Sequence, residues 1–98
     1  MYGTVARMRL IPGKEAELSG LLREFDELKV PGAIAEYLYR MDEDQNEYYM
    51  AVVFANKEHY MANADDPQQD ARYQKLRALL ESDPEWHDGE IVHYVAWM

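Results

Sequence analysis

The sequence predicts an α+β fold of the ferredoxin-like, split βαβ kind, a four-stranded antiparallel sheet with its helices on one face. Apolar positions recur with the period of a strand, then of a helix. The order is strand, helix, strand, strand, paired helices, strand. The turn-forming stretches Ile11-Pro12-Gly13, Pro31-Gly32 and Asp42 to Asn46 fall between these segments and not inside them. The chain has 98 residues, a length that makes residues 1–98 one domain with one modest core.

Each element has its own signal. Gly3 to Leu10 alternates as a strand, and Ile11-Pro12-Gly13 turns the chain. KEAELSGLLREFDELK then places Leu18, Leu21, Leu22, Phe25 and Leu28 on one stripe of an amphipathic helix. Glu15 and Glu17 lie near its start, where the helix dipole favours anions. Pro31-Gly32 stops it. Ala33 to Met41 is the second strand, DEDQN a polar turn, and Glu47 to Phe54 the hairpin partner. Asn56 is a good N-cap for a short helix reaching Ala64. Asp66 caps the next helix, Pro67 fills its first turn, and Gln69 is placed to close a capping box. Tyr73, Leu76 and Leu80 mark one face of that helix, and Asp83-Pro84 ends it. A polar loop holding His87 follows, and Glu90 to Trp97 is expected as the last strand.

The third strand is apolar on both faces. Tyr48, Met50, Val52 and Phe54 point one way, and Tyr49, Ala51 and Val53 the other. In the expected last strand, Ile91, His93, Val95 and Trp97 oppose Val92, Tyr94 and Ala96. One layer of helices covers one face only. The second face is therefore an association surface, and the expected assembly is a homodimer with two sheets packed face to face.

Composition excludes several classes. The formal net charge of −9 is wrong for DNA, RNA or an anionic membrane surface. EYYMAVVF echoes an RNA-recognition strand but lacks that motif's basic and glycine positions. There is no Cys, hence no thiolate chemistry. No run approaches the ~18 apolar residues of a membrane span. The stretch MYGTVARMRL lacks the apolar core of a secretory signal, so the expected location is the cytoplasm. Gly-rich phosphate loops and serine-nucleophile motifs are missing. The three histidines lack a metal-binding spacing, and no metal site is expected. The acidic run Asp42 to Asp44 reads as a solvated turn.

Candidate chemistry comes from few side chains. His59, with an ordinary pKa of about 6.5, is either a general base or a surface residue. His93 shares an apolar strand face and is either a proton acceptor or a satisfied core residue. Arg7, Arg9 and Arg40 are strand cations; Arg7 and Arg9 share a face with Val5 and are placed to pair with Glu36 across the sheet or at the dimer interface, or one of them to meet an anionic ligand. Tyr60 is expected to pack on the sheet. Tyr60, Arg40 and Trp97 are the expected substrate contacts.

VPGAIAEYLYRMDEDQNEYYMAVVFANKEHY followed by DPQQDARYQKLRALL resembles the antibiotic biosynthesis monooxygenase (ABM) superfamily. The resemblance lies in Pro31-Gly32, Leu38-Tyr39-Arg40, the Asp-rich hairpin, Glu58-His59-Tyr60, Pro67, and Tyr73 with Leu76. It implies a dimeric α+β barrel. Members include cofactor-independent oxygenases of phenols and quinols, in which Asn, Trp, Tyr and Arg side chains line a cleft between helices and sheet. By that resemblance Asn63 and Tyr73 would position a substrate. A phenol loses a proton, its anion passes an electron to oxygen, and amide or guanidinium donors stabilise the anion. Read from the residues alone, Tyr73 is equally a core side chain, and Asn63 a helix end in the left-handed conformation.

The chain departs from the family where the short helix often carries His and this sequence has Asn63. Haem-degrading members carry Asn where this chain has Ala6, and a His on the longer helix, yet no His lies between Asp66 and Ser82. The expected activity is thus oxidation of a small phenolic or quinol compound with oxygen, without metal or flavin. The alternative is a non-catalytic dimer of the same fold that binds a small aromatic or hydrophobic ligand or a partner protein.

Overall fold

A computed structural model describes residues 1–97. The elements are β1 (Tyr2–Arg9), α1 (Glu15–Asp26), β2 (Ala33–Arg40), β3 (Glu47–Phe54), α2 (Lys57–Ala64), α3 (Pro67–Arg77) and β4 (Glu85–Glu90). The sheet order is β2-β3-β1-β4, and every neighbouring pair is antiparallel. This is the expected α+β, ferredoxin-like arrangement.

Local chemistry sets most boundaries. Gly13 and Gly32 take φ of +89° and +79°, values that suit glycine alone at the two turns. The Asn56 side chain accepts from the His59 backbone N–H at 2.8 Å and starts α2. The Asp66 carboxylate accepts from the Gln68 N–H at 2.9 Å, with Pro67 behind it, and starts α3. The expected capping box does not form. Gln69 Oε1 instead accepts two N–H groups of Arg72, at 3.1 and 2.9 Å. Helix α1 stops at Asp26, so Leu28 leaves the apolar stripe and is exposed.

The core lies between one sheet face and the helices. Ala6, Met8, Tyr48 and Met50 from the sheet meet Leu18 and Leu21 of α1 and Leu76 of α3. Leu10 is the largest fully buried side chain, and its backbone bridges to Leu80. At Gly3 an added Cβ would run into the Val52 carbonyl, so β1 and β3 approach closely there.

The last strand lies earlier than the sequence predicts. It is Glu85–Glu90, and residues 91–97 carry no regular structure. The reason is non-local. β4 pairs with β1 in a register that sets Glu90 opposite Tyr2, and the Ile91 N–H donates to the Met1 carbonyl at 2.9 Å. Past that point the chain has run off the end of β1 and finds no neighbouring strand. Ile91, His93, Val95 and Trp97 therefore form no strand face, while His87, expected in a loop, stands on β4 with its Nε2 2.9 Å from Glu85.

The strand arginines also find other partners than expected. Arg9 meets Asp44 at 2.7 Å, Glu47 at 3.4 Å and Glu81 at 3.4 Å, and Arg7 meets Glu47 at 3.2 Å. Neither pairs with Glu36. The register places Arg7 opposite Tyr49 but Glu36 opposite Val52, on the other side of the sheet. Val5, Tyr37 and Tyr39 are exposed on the sheet's outer face, away from the helices. No helix among the described residues is long and apolar enough to cross a membrane.

Candidate functional site

A cleft of about 730 Å³ opens between the helix-facing side of the sheet and the three helices. Strand register builds its floor. Glu36, Val52, Thr4 and Asp88 fall in one row across β2, β3, β1 and β4. Leu38, Met50, Ala6 and Trp86 form the next row. Helix α2 supplies Tyr60 and Asn63 to the walls, and α3 supplies Gln69, Arg72 and Tyr73.

Aromatic packing and one charged hydrogen bond fix the walls. Tyr60 meets Phe54 and Tyr2 edge-on, with ring centroids 5.5 and 5.3 Å apart. Its hydroxyl donates to Asp88 Oδ1 at 2.8 Å. Burial first, and then this bond to a carboxylate, push its pKa up to about 12, while the Thr4 hydroxyl beside it works the other way. Tyr73 tilts against Trp86 at 6.1 Å, and burial raises its pKa as well. Both phenols are thus neutral hydrogen-bond donors near neutral pH. The Thr4 hydroxyl is buried and, although near enough to act on Tyr60, makes no hydrogen bond of good geometry. Glu36 opens onto the cleft and stays solvent-accessible, and the partial desolvation of its carboxylate, reinforced by Asp26, raises its pKa.

Three of the residues singled out in the sequence meet here: Asn63, Tyr73 and Tyr60. Asn63 sits inside α2, and among the described residues none but glycine takes a positive φ, so it does not end the helix in the left-handed conformation. Four others stand apart. The His59 ring lies against Gly32, its Nδ1 2.8 Å from Asn56 Oδ1. Arg40 lies opposite Tyr48 at the far end of β2. His93 and Trp97 belong to the segment beyond β4, where Trp97 is 88% exposed. No group of three or more His, Asp or Glu side chains converges as a metal site among the described residues.

Sequence reasoning missed Thr4, Glu36, Arg72, Trp86 and Asp88. Trp86 and Asp88 were hidden by the misplaced last strand. Glu36 was legible in the hairpin's parity, since counting back from Arg40 opposite Tyr48 puts it beside Val52 on the helix-facing side.

The family profile for antibiotic biosynthesis monooxygenases matches residues 1–75. The chain belongs to that family. Among solved structures, this ABM-family protein is similar to SnoaB, a cofactor-independent oxygenase from Streptomyces nogalater. The TM-score is 0.80 at 19% identity, over 96% of this chain and 95% of that one. A candidate antibiotic biosynthesis monooxygenase from Chloroflexus aurantiacus J-10-fl gives 0.78 at 22% identity, over 97% and 96% of the two chains. A conserved protein from Methanosarcina mazei Go1 gives 0.78 at 18%, over 90% and 89%. At these identities the likeness is one of fold. No curated protein matches the chain.

In this ABM-family chain, Glu36 is expected to make the fold weaker as pH rises. Its folded-state pKa lies above the ordinary carboxylate value. The folded state therefore holds the proton more tightly than the unfolded one, and stability falls as pH climbs from the ordinary value through the raised one. Glu36→Gln removes this penalty. Thermal melts should show the variant more stable than wild type at pH 7, by no more than about 1 kcal/mol because the cleft is solvated, and no more stable at acid pH. A gain of equal size at both pH values would show that charge is not the cause.

Proposed function

We propose that this protein is a cofactor-independent monooxygenase that oxidises a small phenolic or quinol compound in the cleft. The observation that supports this most is the meeting of Asn63, Arg72 and Tyr73 over an apolar floor of Met50, Val52 and Phe54. A volume near 730 Å³ suits an aromatic of a few rings. Asn63 and the N–H groups of Arg72 not taken by Gln69 are the donors for a phenolate oxygen. The neutral Tyr73 hydroxyl holds a second oxygen.

The reaction balances without a further reductant. A phenol with a free para carbon loses its O–H proton, and the anion gives one electron to oxygen. The two radicals join at the para carbon to give a peroxide, which picks up a proton. Loss of the para C–H proton and of hydroxide from the O–O bond leaves a quinone and water. Oxygen uptake over a panel of phenols and quinols tests this reading. For an accepted substrate, Asn63→Ala should lower kcat by about 10²-fold and Tyr73→Phe by about tenfold. Equal turnover in all three proteins would remove both residues from the site.

We also infer that the working unit is a homodimer joined through the outer sheet face. A second reading keeps the same cleft without catalysis. It is favoured by the positions of His59 and His93, neither of which lines the cleft. It calls for thermal stabilisation by a small aromatic ligand with no oxygen consumed.

A further inference from the structure

The cleft is unusually acidic for one that would stabilise an anion. Asp26, Glu36, Asp70 and Asp88 all line it, against a single cation, Arg72. That cation already gives Nε and one Nη2 hydrogen to Gln69. Asp88 is engaged by the Tyr60 hydroxyl at 2.8 Å. Glu36 has no such donor, and only burial and the neighbouring Asp26 carboxylate act on its ionisation. Two strands along the same row, Thr4 is 5% exposed, and its hydroxyl oxygen has no partner. Buried polar groups without partners are rare, and this one shares the cavity floor with the unpaired, solvent-accessible Glu36 carboxylate.

An occupant that satisfied this floor would bring hydroxyl donors and no negative charge. An O–H group aimed at Glu36 makes a charge-assisted bond, among the stronger kinds available to a neutral ligand. A carboxylate in the same place meets the uncompensated carboxylate of Glu36 and is repelled by it.

We propose that Glu36 accepts a hydrogen bond from a ligand hydroxyl, and that the cleft selects uncharged phenols over aromatic carboxylates of the same size. The inference rests on the reading of the cleft as a phenol site and adds which phenols enter it. Glu36 is a specificity-determining residue on this account. It stands on β2, opposite the donors that α2 and α3 bring to the phenolate oxygen, so a flat ligand with hydroxyls at its two ends would reach both sides.

The test is calorimetric titration of the full chain without oxygen, using 2,6-dihydroxynaphthalene and 6-hydroxy-2-naphthoate. These share a ring system and differ only at one end. Wild type should bind the diol at least about tenfold more tightly than the carboxylate. Glu36→Gln should weaken the diol by about tenfold and tighten the carboxylate, so that the preference disappears. Asp26→Asn should narrow the preference from the carboxylate side alone, and it carries the test if Glu36→Gln does not fold. Glu43→Gln, in the hairpin turn and outside the cleft, changes net charge equally and should leave the ratio alone. Equal or tighter binding of the carboxylate by wild type overturns the proposal. So does an unchanged ratio in Glu36→Gln, or in Asp26→Asn where that variant carries the test, and so does failure of wild type to bind either compound. Binding without oxygen separates the two ideas. Intact selectivity with no turnover of any phenol sinks the monooxygenase reading alone, and turnover without selectivity sinks this one alone.

Discussion

Leu10→Ala is expected to destabilise the fold by about 2–5 kcal/mol, toward the upper end. Leu10 is 0% exposed and belongs to the cluster that joins the sheet to α1 and α3. What sets the size of such a loss is whether the surroundings can close over the hole. Here they are pinned. The Leu10 N–H donates to the Asn46 carbonyl at 2.8 Å, and the Ile11 N–H to that of Leu79 at 2.9 Å. The backbone of the β2–β3 hairpin is thereby tied to the end of β1 from one side, and the chain after α3 from the other. A domain of this size has about 5–15 kcal/mol in hand, and each kcal/mol moves its melting point by roughly 4–8 °C. The melting point should therefore fall by more than about 10 °C. Denaturant unfolding should show the midpoint moving with an unchanged slope. A loss below about 1 kcal/mol would mean that the junction relaxes freely. The loss should also reach the cleft, because the contact with Leu80 anchors the end of the helix that carries Arg72 and Tyr73.

What the sequence made legible was what local chemistry decides. Asn56 and Asp66 cap their helices because a side-chain oxygen two or three residues from a free N–H needs nothing else. Gly13 and Gly32 turn the chain because few other residues tolerate their φ. The β2–β3 hairpin was legible for the same reason, its turn and alternation being contiguous. β4 was not. Every residue of EWHDGE is exposed, so no apolar alternation marks it. The apolar IVHYVAW that follows imitates a strand without having one to pair with. Only the position of β1 decides which stretch joins the ladder, and that is a long-range fact.

The cleft divides along the same line. Asn63, Tyr60 and Tyr73 could be singled out because each sits on a recognisable helix with a family resemblance behind it. Glu36, Thr4 and Asp88 come together only through register across four strands. Nothing near any one of them in sequence announces the other two. Their chemistry also runs against foldability, since an acid raised by burial and a hydroxyl without a partner both weaken the folded state. Their presence together in one cavity is why they point to a ligand.

The same reasoning about uncovered groups gives the second large effect, on the opposite side of the sheet. Light scattering on a sizing column should give about twice the 11.5 kDa of one chain at micromolar concentration. Tyr39→Glu should halve that mass. Tyr39 and Tyr37 are 55% and 49% exposed, and Val5 is 47% exposed, on a face that no helix covers. Tyr49, Ala51 and Val53 lie between them, and Arg7, Glu85 and His87 edge the patch on the β1 and β4 side. Beyond β4, Val92 and Trp97 are each 88% exposed and sit in a segment with no partner strand. Single exposed apolar residues are ordinary, but a contiguous patch with an apolar tail beside it is not. A second copy would present the same patch by two-fold symmetry and cover the first. A glutamate at position 39 would then be taken out of water among tyrosines, a loss of several kcal/mol at such an interface. Glu58→Lys, on the exposed side of α2, changes charge more and should leave the mass alone. If wild type runs as a single chain, the outer face is free. If Tyr39→Glu stays paired, the contact lies elsewhere, and the segment after Ile91 becomes the place to look.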